Sequence, residues 1–267
     1  MRAVKKFLAV ANWKMNKTAN ETAEFAKKFR KVSTKKVEVV ICPPFTSLSV
    51  LSCKLKNTKI KTGAQNMFYE DSGTFTGEVS PLMIKEFSDY VIIGHSDRRK
   101  ILGETDEMVN KKVKKALEHG LIPIVCVGET LEERGSGKGK EVVERELHRA
   151  LRDVGEHAVM RLDLAYEPLW AISKGAADKK TQTATPKDAE EMHIFIRGVV
   201  ADLYGKTVAE KVRIIYGGSV RADSVSQFTA MRNVDGVLVG GASLDPESFH
   251  GVVENADKSL SGKGFNR

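Results

Sequence analysis

Short apolar runs alternate with longer amphipathic stretches along the whole chain. Eight runs of β-branched or small apolar residues predict strands: Phe7–Asn12, Val37–Cys42, Lys59–Gln65, Tyr90–His95, Ile122–Val127, Asp163–Glu167, Val212–Tyr216 and Val234–Val239. Stretches with helical spacing, such as Asp106–His119 and Glu141–Val154, lie between them. This repeated alternation predicts an α/β fold, a parallel eight-stranded (β/α)8 barrel that forms a single domain over residues 1–267.

A doubly wound open sheet is the alternative architecture. Such a sheet normally carries a glycine-rich phosphate-binding turn after its first strand. Here that position holds Asn12-Trp13-Lys14-Met15-Asn16 instead. With 267 residues and 41% hydrophobic content, the chain is long enough to bury a large core without disulfides or a structural metal. The barrel is therefore the favoured fold.

Cysteine and histidine usage indicates a reducing compartment and no metal site. The three cysteines, Cys42, Cys53 and Cys126, have no CxxC spacing, so we expect buried, unpaired thiols. The histidines other than His95 are dispersed over helix-like stretches, without the clustering of metal ligands. No apolar run approaches the roughly 18 residues of a membrane span. The sequence predicts a cytoplasmic protein with no membrane partner.

The net charge of +8 raises the question of nucleic-acid binding. The lysines occur in pairs such as Lys27-Lys28 and Lys111-Lys112, inside stretches that also have helix-period apolar residues. Neither an arginine-rich stripe nor interleaved aromatic residues accompany them. We therefore expect no nucleic-acid partner, and a positive field that attracts small anionic substrates.

Polar residues follow most of the predicted strands, and in a barrel the C-terminal strand ends gather on one face. They include Asn12, Lys14, Gln65, Asn66, His95, Glu129, Glu167, Ser219, Gly240 and Gly241. Together they offer a base in Glu167, an electrophile in His95, a fixed cation in Lys14 and two glycine-rich turns. Backbone N–H groups of such turns can hold a phosphate.

Glu167 precedes a proline-stopped segment, Pro168-Leu169-Trp170-Ala171-Ile172, at the lip of the sixth predicted strand. A carboxylate there, under a segment that can close, suits proton abstraction next to a carbonyl, because closure expels water and raises its basicity. A structural ion pair at the strand end is the alternative. Because His95 and Lys14 are also predicted at strand ends, the general-base role of Glu167 is favoured.

His95 lies in Gly94-His95-Ser96-Asp97-Arg98-Arg99. We expect Ser96 to cap a short helix there and direct backbone N–H groups at the imidazole, which would lower the pKa of His95. A histidine with a purely structural hydrogen bond is the alternative interpretation.

These motifs, in order, resemble the triosephosphate isomerase family along nearly the whole chain. The resemblance rests on Ala11–Asn16, Gly63–Asn66, Gly73–Glu78, Gly94–Arg99, Gly103–Thr105, Cys126–Glu129, Ala165–Ile172, Tyr216–Val220 and Val239–Leu244. It implies that Glu167 moves a proton between two carbons and that His95 polarises and protonates the carbonyl oxygens, a Glu/His pairing for which that family is the standard example. Lys14 and Asn12 would stabilise the enediolate.

The resemblance also implies the substrate and partners. Ser173, Ser219, Gly240 and Gly241 would bind the phosphate of a small phosphorylated substrate, and no cofactor is required. A homodimer is implied, with the Gly73–Glu78 loop projecting into the partner subunit through Phe75 and Thr76. Glu78 would pair with Arg98 or Arg99 to brace that loop.

Two positions depart from the family pattern. The lid, which starts at Pro168-Leu169-Trp170-Ala171-Ile172, encloses ten residues, 173–182, before Thr183-Ala184, where the family has four. Asp97 replaces the usual glutamate beside Lys14, a difference of one methylene or about 1.5 Å. Alternatives therefore stay open: an isomerase for a larger sugar phosphate such as a tetrulose phosphate, or an engineered or non-catalytic barrel with a modified lid.

Overall fold

The computed structural model describes residues 5–172 and 184–262. Eight strands are present: β1 Phe7–Asn12, β2 Val37–Cys42, β3 Lys61–Ala64, β4 Tyr90–Ile93, β5 Ile122–Val127, β6 Asp163–Tyr166, β7 Arg213–Tyr216 and β8 Gly236–Val239. All pair in parallel, in sequence order, to form a closed barrel. The predicted (β/α)8 barrel is confirmed.

Barrel closure depends on the pairing of β8 with β1, in which Leu8 lies opposite Gly236 and Ala11 opposite Val239. A Cβ atom at Gly236 would lie 2.3 Å from the backbone oxygen of Leu8. This approach admits only glycine at that position, so Gly236 lets the last strand close the sheet.

Twelve α-helices surround the strands in the described residues. They are α1 Ala19–Phe29, α2 Phe45–Leu55, α3 Pro81–Lys85, α4 Ser96–Leu102, α5 Asp106–Glu118, α6 Leu131–Gly135, α7 Gly139–Ala150, α8 Glu156–Val159, α9 Pro186–Tyr204, α10 Lys206–Lys211, α11 Val225–Thr229 and α12 Pro246–Gly262. The helix predicted to start at Glu141 begins two residues earlier, at Gly139, and ends at Ala150 rather than Val154. Within the described residues, no helix combines the length and the apolarity needed to cross a membrane.

The strands alternate between two cores. One side of each strand fills the barrel interior, where Val10, Ile92, Ile124 and Ile215 are among the buried side chains. The other side packs against the helices, in a larger cluster that fixes the outer ring. Cys42 and Cys126 are buried as expected, but Cys53 is exposed on α2, so the prediction of three buried thiols is wrong for Cys53.

Several predicted strands extend too far toward their C-termini. Gln65, His95 and Glu167 were placed inside strands, whereas each lies just beyond one. A polar side chain at the end of a parallel barrel strand turns into the open face rather than continuing the ladder. The boundary differences therefore place these three residues at the rim of the barrel.

Candidate active site

A cavity of about 910 Å³ opens at the C-terminal ends of the strands. Its lining includes most of the predicted site residues: Asn12, Lys14, His95, Asp97, Glu167, Leu169, Ile172, Ser219, Gly240 and Gly241. They come from the ends of five strands, β1, β4, β6, β7 and β8. The fold brings together residues that lie more than 200 positions apart in the sequence.

Glu167 and His95 are in direct contact. Glu167 is only 2% exposed, and its Oε1 lies 2.9 Å from His95 Nε2. Its Oε2 accepts a hydrogen bond of 2.9 Å from the backbone N–H of Ser96. Both carboxylate oxygens are thus occupied, so a substrate that lies between the two side chains requires Glu167 to withdraw from His95.

The tautomer of His95 follows from its other nitrogen. The backbone N–H of Asp97 donates a 3.0 Å hydrogen bond to His95 Nδ1, so Nδ1 carries no proton and Nε2 is the donor to Glu167. His95 itself is the N-cap of α4, whereas Ser96 is its first residue. The prediction that Ser96 caps this helix is therefore wrong, although a backbone N–H does point at the imidazole.

The contact with Glu167 decides the charge state of the pair. Burial lowers the pKa of His95, but the Glu167 carboxylate raises it, and the net shift is upward. The expected lowering is therefore wrong while Glu167 occupies this position. Burial raises the pKa of Glu167, but His95 and the Ser96 N–H lower it, and the net shift is downward. Glu167 is ionised at neutral pH, as a base must be.

Lys14 is held in an unusual backbone conformation beside this pair. Its φ of 50° is in the left-handed region, which lysine rarely adopts. Its N–H donates to Asn12 Oδ1 at 3.1 Å, and its carbonyl oxygen accepts from Gln65 Nε2 at 2.9 Å. Lys14 Nζ lies 3.0 Å from Asp97 Oδ2. Asp97 therefore reaches Lys14 in spite of its shorter side chain.

Two turns supply backbone N–H groups to the cavity. Ser219 follows β7, and Gly240 caps a 3₁₀ turn, Gly241–Ser243, that follows β8. No acceptor within the described residues takes the N–H groups of Ser219, Gly240 and Gly241. The Lys14 side chain passes 3.9 Å from the position of a Cβ on Gly240, so its positive charge lies near this turn. The predicted phosphate ligand Ser173 lies outside the described residues.

Comparisons with known proteins identify the family of this chain. The sequence matches the family model described as Triosephosphate isomerase over residues 7–256. The chain belongs to the triosephosphate isomerase family. A triosephosphate isomerase of Dictyoglomus thermophilum is 47% identical over 251 residues, which are 93% of this chain and 98% of the relative. That of Caldanaerobacter subterraneus subsp. tengcongensis is 49% identical over 248 residues, 92% of this chain and 98% of the relative.

In this member of the triosephosphate isomerase family, the segment after Glu167 is anchored at Trp170. Trp170 Nε1 donates to Glu129 Oε1 at 2.8 Å, and the Arg134 guanidinium lies 4.5 Å from the centre of the indole ring. Arg134 Nη2 also pairs with Asp188 Oδ1, and the Asp188 carboxylate accepts from the N–H of Thr185, the N-cap of α9. Arg134 thus contacts groups on both sides of the 173–183 segment.

The remaining predicted lid residues take different environments. Pro168 and Ala171 are buried, whereas Leu169 and Ile172 are partly exposed and line the cavity. Of the other side of the lid, Thr183 lies outside the described residues, and Ala184 is buried.

The loop predicted to enter a partner subunit is exposed in the single chain. Phe75 is 43% exposed, and Thr76 is also exposed. The predicted brace with Glu78 does not form within the described chain, because Arg98 pairs with Glu104 at 2.7 Å. Arg99 pairs with Asp106 at 2.7 Å instead.

Sequence reasoning missed three contributors to the site. The Ser96 N–H holds Glu167, and Lys100 and Arg221 add basic side chains to the cavity rim. Lys100 continues the basic run that starts at Arg98, and Arg221 follows the Tyr216–Val220 motif. Their positions next to these motifs could have predicted Lys100 and Arg221. No sequence pattern predicts which backbone N–H holds Glu167.

One group of potential metal ligands lies away from this cavity. Among the described residues, Asp71, Glu118 and His119 bring their ligand atoms within 4.8 Å of one another. Lys115 Nζ lies 3.0 Å from Glu118 Oε2 and 3.6 Å from Asp71 Oδ2. The Lys115 ammonium thus balances the charge of these two carboxylates, in the place where a metal ion would otherwise do so.

Proposed function

We propose that this protein interconverts D-glyceraldehyde 3-phosphate and dihydroxyacetone phosphate by proton transfer through an enediolate. The observation that carries the proposal is the contact of the ionised Glu167 carboxylate with His95 Nε2, in a cavity that also holds Lys14. Family membership supports the same reaction. No observation on the described residues favours a larger sugar phosphate or a non-catalytic barrel.

Glu167 is the base in this reaction. With substrate bound, the carboxylate leaves His95 and takes a proton from C1 of dihydroxyacetone phosphate, and the electron pair of that C–H bond forms the enediolate. Loss of the His95 and Ser96 contacts removes the interactions that lower its pKa, so the carboxylate becomes more basic when it meets the substrate. His95 then protonates the C2 oxygen and takes the proton of the C1 hydroxyl, and return of the carried proton from Glu167 to C2 completes the isomerisation to glyceraldehyde 3-phosphate.

His95 and Lys14 stabilise the charge that develops on the oxygens. The Nε2 proton of His95, freed from Glu167, is available to the carbonyl oxygen, and the Asp97 N–H keeps that tautomer in place. Lys14 and the Asn12 amide lie beside it at the end of β1 and supply further positive potential. Each preorganised donor of this kind is worth about 3 to 4 kcal/mol in the transition state.

The phosphate group is held by Ser219, Gly240 and Gly241. Their N–H groups, free of acceptors in the described residues, and the nearby Lys14 side chain favour a dianion at this end of the cavity. Ser173 stays a prediction for a fourth contact. Pro168, Leu169, Trp170, Ala171 and Ile172 would carry the lid that excludes water and protects the enediolate from losing its phosphate.

The test is a coupled assay of glyceraldehyde 3-phosphate isomerisation, with methylglyoxal monitored in parallel. We expect the parent to be active and Glu167→Gln to lose about 10²- to 10⁴-fold in kcat, since general base catalysis contributes that much. Glu132→Gln, at an exposed position on α6, is the matched control and should keep parental activity. An inactive, folded parent, or a Glu167→Gln variant as fast as the control, would contradict the proposal.

We also propose a homodimer. Apolar side chains are exposed near the open face of the barrel: Met15 is 95% exposed, Ile101 73% and Leu102 63%, and Phe75 lies on the predicted dimer loop. Such a concentration of apolar surface supports burial in a partner subunit. Light scattering should give twice the 29.4 kDa of one chain. Phe75→Glu should shift the mass toward the monomer, whereas a monomeric parent would refute this assembly.

A cytoplasmic location and a single domain complete the proposal. Cys42, Cys53 and Cys126 are all unpaired thiols, which fits a reducing compartment. The described residues all belong to the barrel and its surrounding helices. Cell fractionation and a single cooperative unfolding transition would test the two statements.

A further inference from the structure

Glu146 is a buried carboxylate that does not line the active-site cavity. It lies on α7 and is 8% exposed. Its Oε2 accepts a 3.0 Å hydrogen bond from the backbone N–H of Gly128, and its Oε1 faces Arg99 NH1 at 4.0 Å. Burying a carboxylate destabilises the fold unless charged and hydrogen-bonding partners compensate. The two partners of Glu146 therefore indicate its role.

The contact with Gly128 leads to Glu167. Gly128 follows β5, and a Cβ atom there would lie 1.8 Å from the backbone oxygen of Glu167. Next to it, Val127 accepts the Glu167 N–H at 2.8 Å, and Glu129 accepts the Leu169 N–H at 3.0 Å. Because the two backbones touch without an intervening side chain, the position of Gly128 fixes the position of Glu167.

The contact with Arg99 leads to His95. Arg99 Nε donates to the carbonyl oxygen of Gly94 at 2.8 Å, and Gly94 is the residue before His95. Gly94 has a φ of 73°, which a glycine adopts without strain and which turns the chain at this point. Arg99 NH1 is also paired with Asp106 at 2.7 Å. Arg99 therefore holds the turn that carries His95.

We propose that Glu146 is a positioning residue that links, through Gly128 and Arg99, the two turns that carry Glu167 and His95. The proposal rests on the function proposed above, since it concerns the geometry of that catalytic pair. Glu146 touches no reacting atom and acts through the backbone of its neighbours. A displacement of 1 Å in such a pair can cost about 100-fold in rate, so small shifts in either turn are measurable.

Glu146 changes charge in the neutral range. Burial raises its pKa to about 7, while Arg99, the Gly128 N–H and Arg145 act in the opposite direction and Asp106 adds to the increase. Below that pH the neutral carboxyl still accepts from Gly128, but it no longer attracts Arg99. The link to the His95 turn therefore weakens as the pH falls through about 7.

Glu146→Gln isolates this effect, because glutamine keeps an acceptor for Gly128 and has no charge at any pH. Glu144→Gln is the matched control, on the same helix but 50% exposed. We measure kcat and KM of parent and variants for glyceraldehyde 3-phosphate between pH 5.5 and 9. The ratio of parental to Glu146→Gln kcat should rise with pH, with a midpoint near neutrality, to about three- to tenfold, with KM unchanged. The Glu144→Gln ratio should stay flat.

The chemical shift of the Gly128 amide gives a second readout that needs no activity. It should titrate near neutral pH in the parent and stay constant in Glu146→Gln. An inactive parent whose Gly128 amide titrates would refute the proposed function while leaving the structural link intact. An active parent with a flat kcat ratio, or with the same Gly128 titration in Glu146→Gln, would overturn the positioning role.

Discussion

At the residue scale, the charge state of the site depends on which groups each catalytic side chain touches. Asp97 contributes to His95 through its backbone, whose N–H holds Nδ1, and to Lys14 through its carboxylate. Only the second contribution depends on the side chain. The backbone contribution is available to any residue except proline at the second position of α4, which separates the two roles experimentally.

Asp97→Asn should therefore have a small effect. Its ion pair with Lys14 joins side chains that are 46% and 32% exposed, and pairs of this kind contribute about 0 to 1 kcal/mol. We expect less than a tenfold loss in kcat/KM (about 1.4 kcal/mol) and an unchanged melting temperature. Lys14→Met, which removes the charge itself, should cost about 10²- to 10³-fold. Equal losses in the two variants would show that Asp97 has a role beyond this pair.

Sequence reasoning identified the residue types of the site but not their electrostatics. Glu167, His95 and Lys14 were predicted because their residue types recur at strand ends, where the fold brings them together. The upward pKa shift of His95 was not predictable, because it depends on a 2.9 Å contact between residues 72 positions apart. The hydrogen bond from the Ser96 N–H to Glu167 was not predictable either, since every residue except proline has a backbone N–H.

At the element scale, Arg134 on α6 joins the two sides of the segment after β6. Its guanidinium lies over the Trp170 ring, pairs with Asp188 at the start of α9, and approaches Glu129 Oε1 at 3.7 Å. A planar group with several donors can satisfy all three contacts at once. A lysine ammonium, as a single point charge, can satisfy only some of them.

Arg134→Lys should weaken the link between Trp170 and Asp188, here called the Arg134 bracket, without unfolding the barrel. The lost cation–π contact contributes about 0.5 to 1 kcal/mol, so we expect about a two- to fivefold loss in kcat. More methylglyoxal per turnover should accompany it, because hinges that are held less firmly protect the enediolate less well. Arg149→Lys, at a side chain that is 54% exposed, is the control. An unchanged product ratio in Arg134→Lys would contradict the bracket.

The elements themselves were largely readable from the hydrophobic pattern. Three of the eight strands, β1, β2 and β5, have their predicted bounds. β3, β4 and β6 were predicted to end too late, since a polar residue after a strand continues the apparent run although its backbone has left the ladder. β3, β7 and β8 were predicted to start one or two residues too early. The start of α7 was predicted two residues too late, because glycine is unfavourable in helices, whereas Gly139 is the first residue of this one.

At the scale of the whole molecule, folding buries a histidine whose protonation would favour the unfolded state. His193 on α9 is fully buried, its Nδ1 lies 3.1 Å from the carbonyl oxygen of Asn233, and burial lowers its pKa to about 4. Between about pH 6.5 and pH 4, His193 is therefore protonated in the unfolded chain but neutral in the folded protein. Stability is lost as the pH falls from about 6.5 toward 4.

His193→Asn should reduce this loss. Between pH 7.5 and pH 5, the free energy of unfolding of the parent should fall by about 2 kcal/mol more than that of the variant. Urea titrations of both proteins at pH 7.5, 6 and 5 measure the difference, and His148→Asn, at a side chain that is 50% exposed, is the control. The opposite contribution of Glu146, which is lost as pH rises through about 7, is common to all three proteins and cancels. Parallel pH profiles for parent and His193→Asn would contradict the assignment.

We propose that Glu167 transfers a proton between adjacent carbons of the substrate. The most direct test is to convert dihydroxyacetone phosphate in D₂O, trap the glyceraldehyde 3-phosphate as it forms, and analyse it by NMR. A proton carried by a carboxylate exchanges with solvent, so we predict deuterium at C2 of the product, and loss of its formation in Glu167→Gln. Product without solvent deuterium at C2, formed at the parental rate by Glu167→Gln as well, would mean direct hydride transfer between the carbons and would rule out Glu167 as the proton carrier.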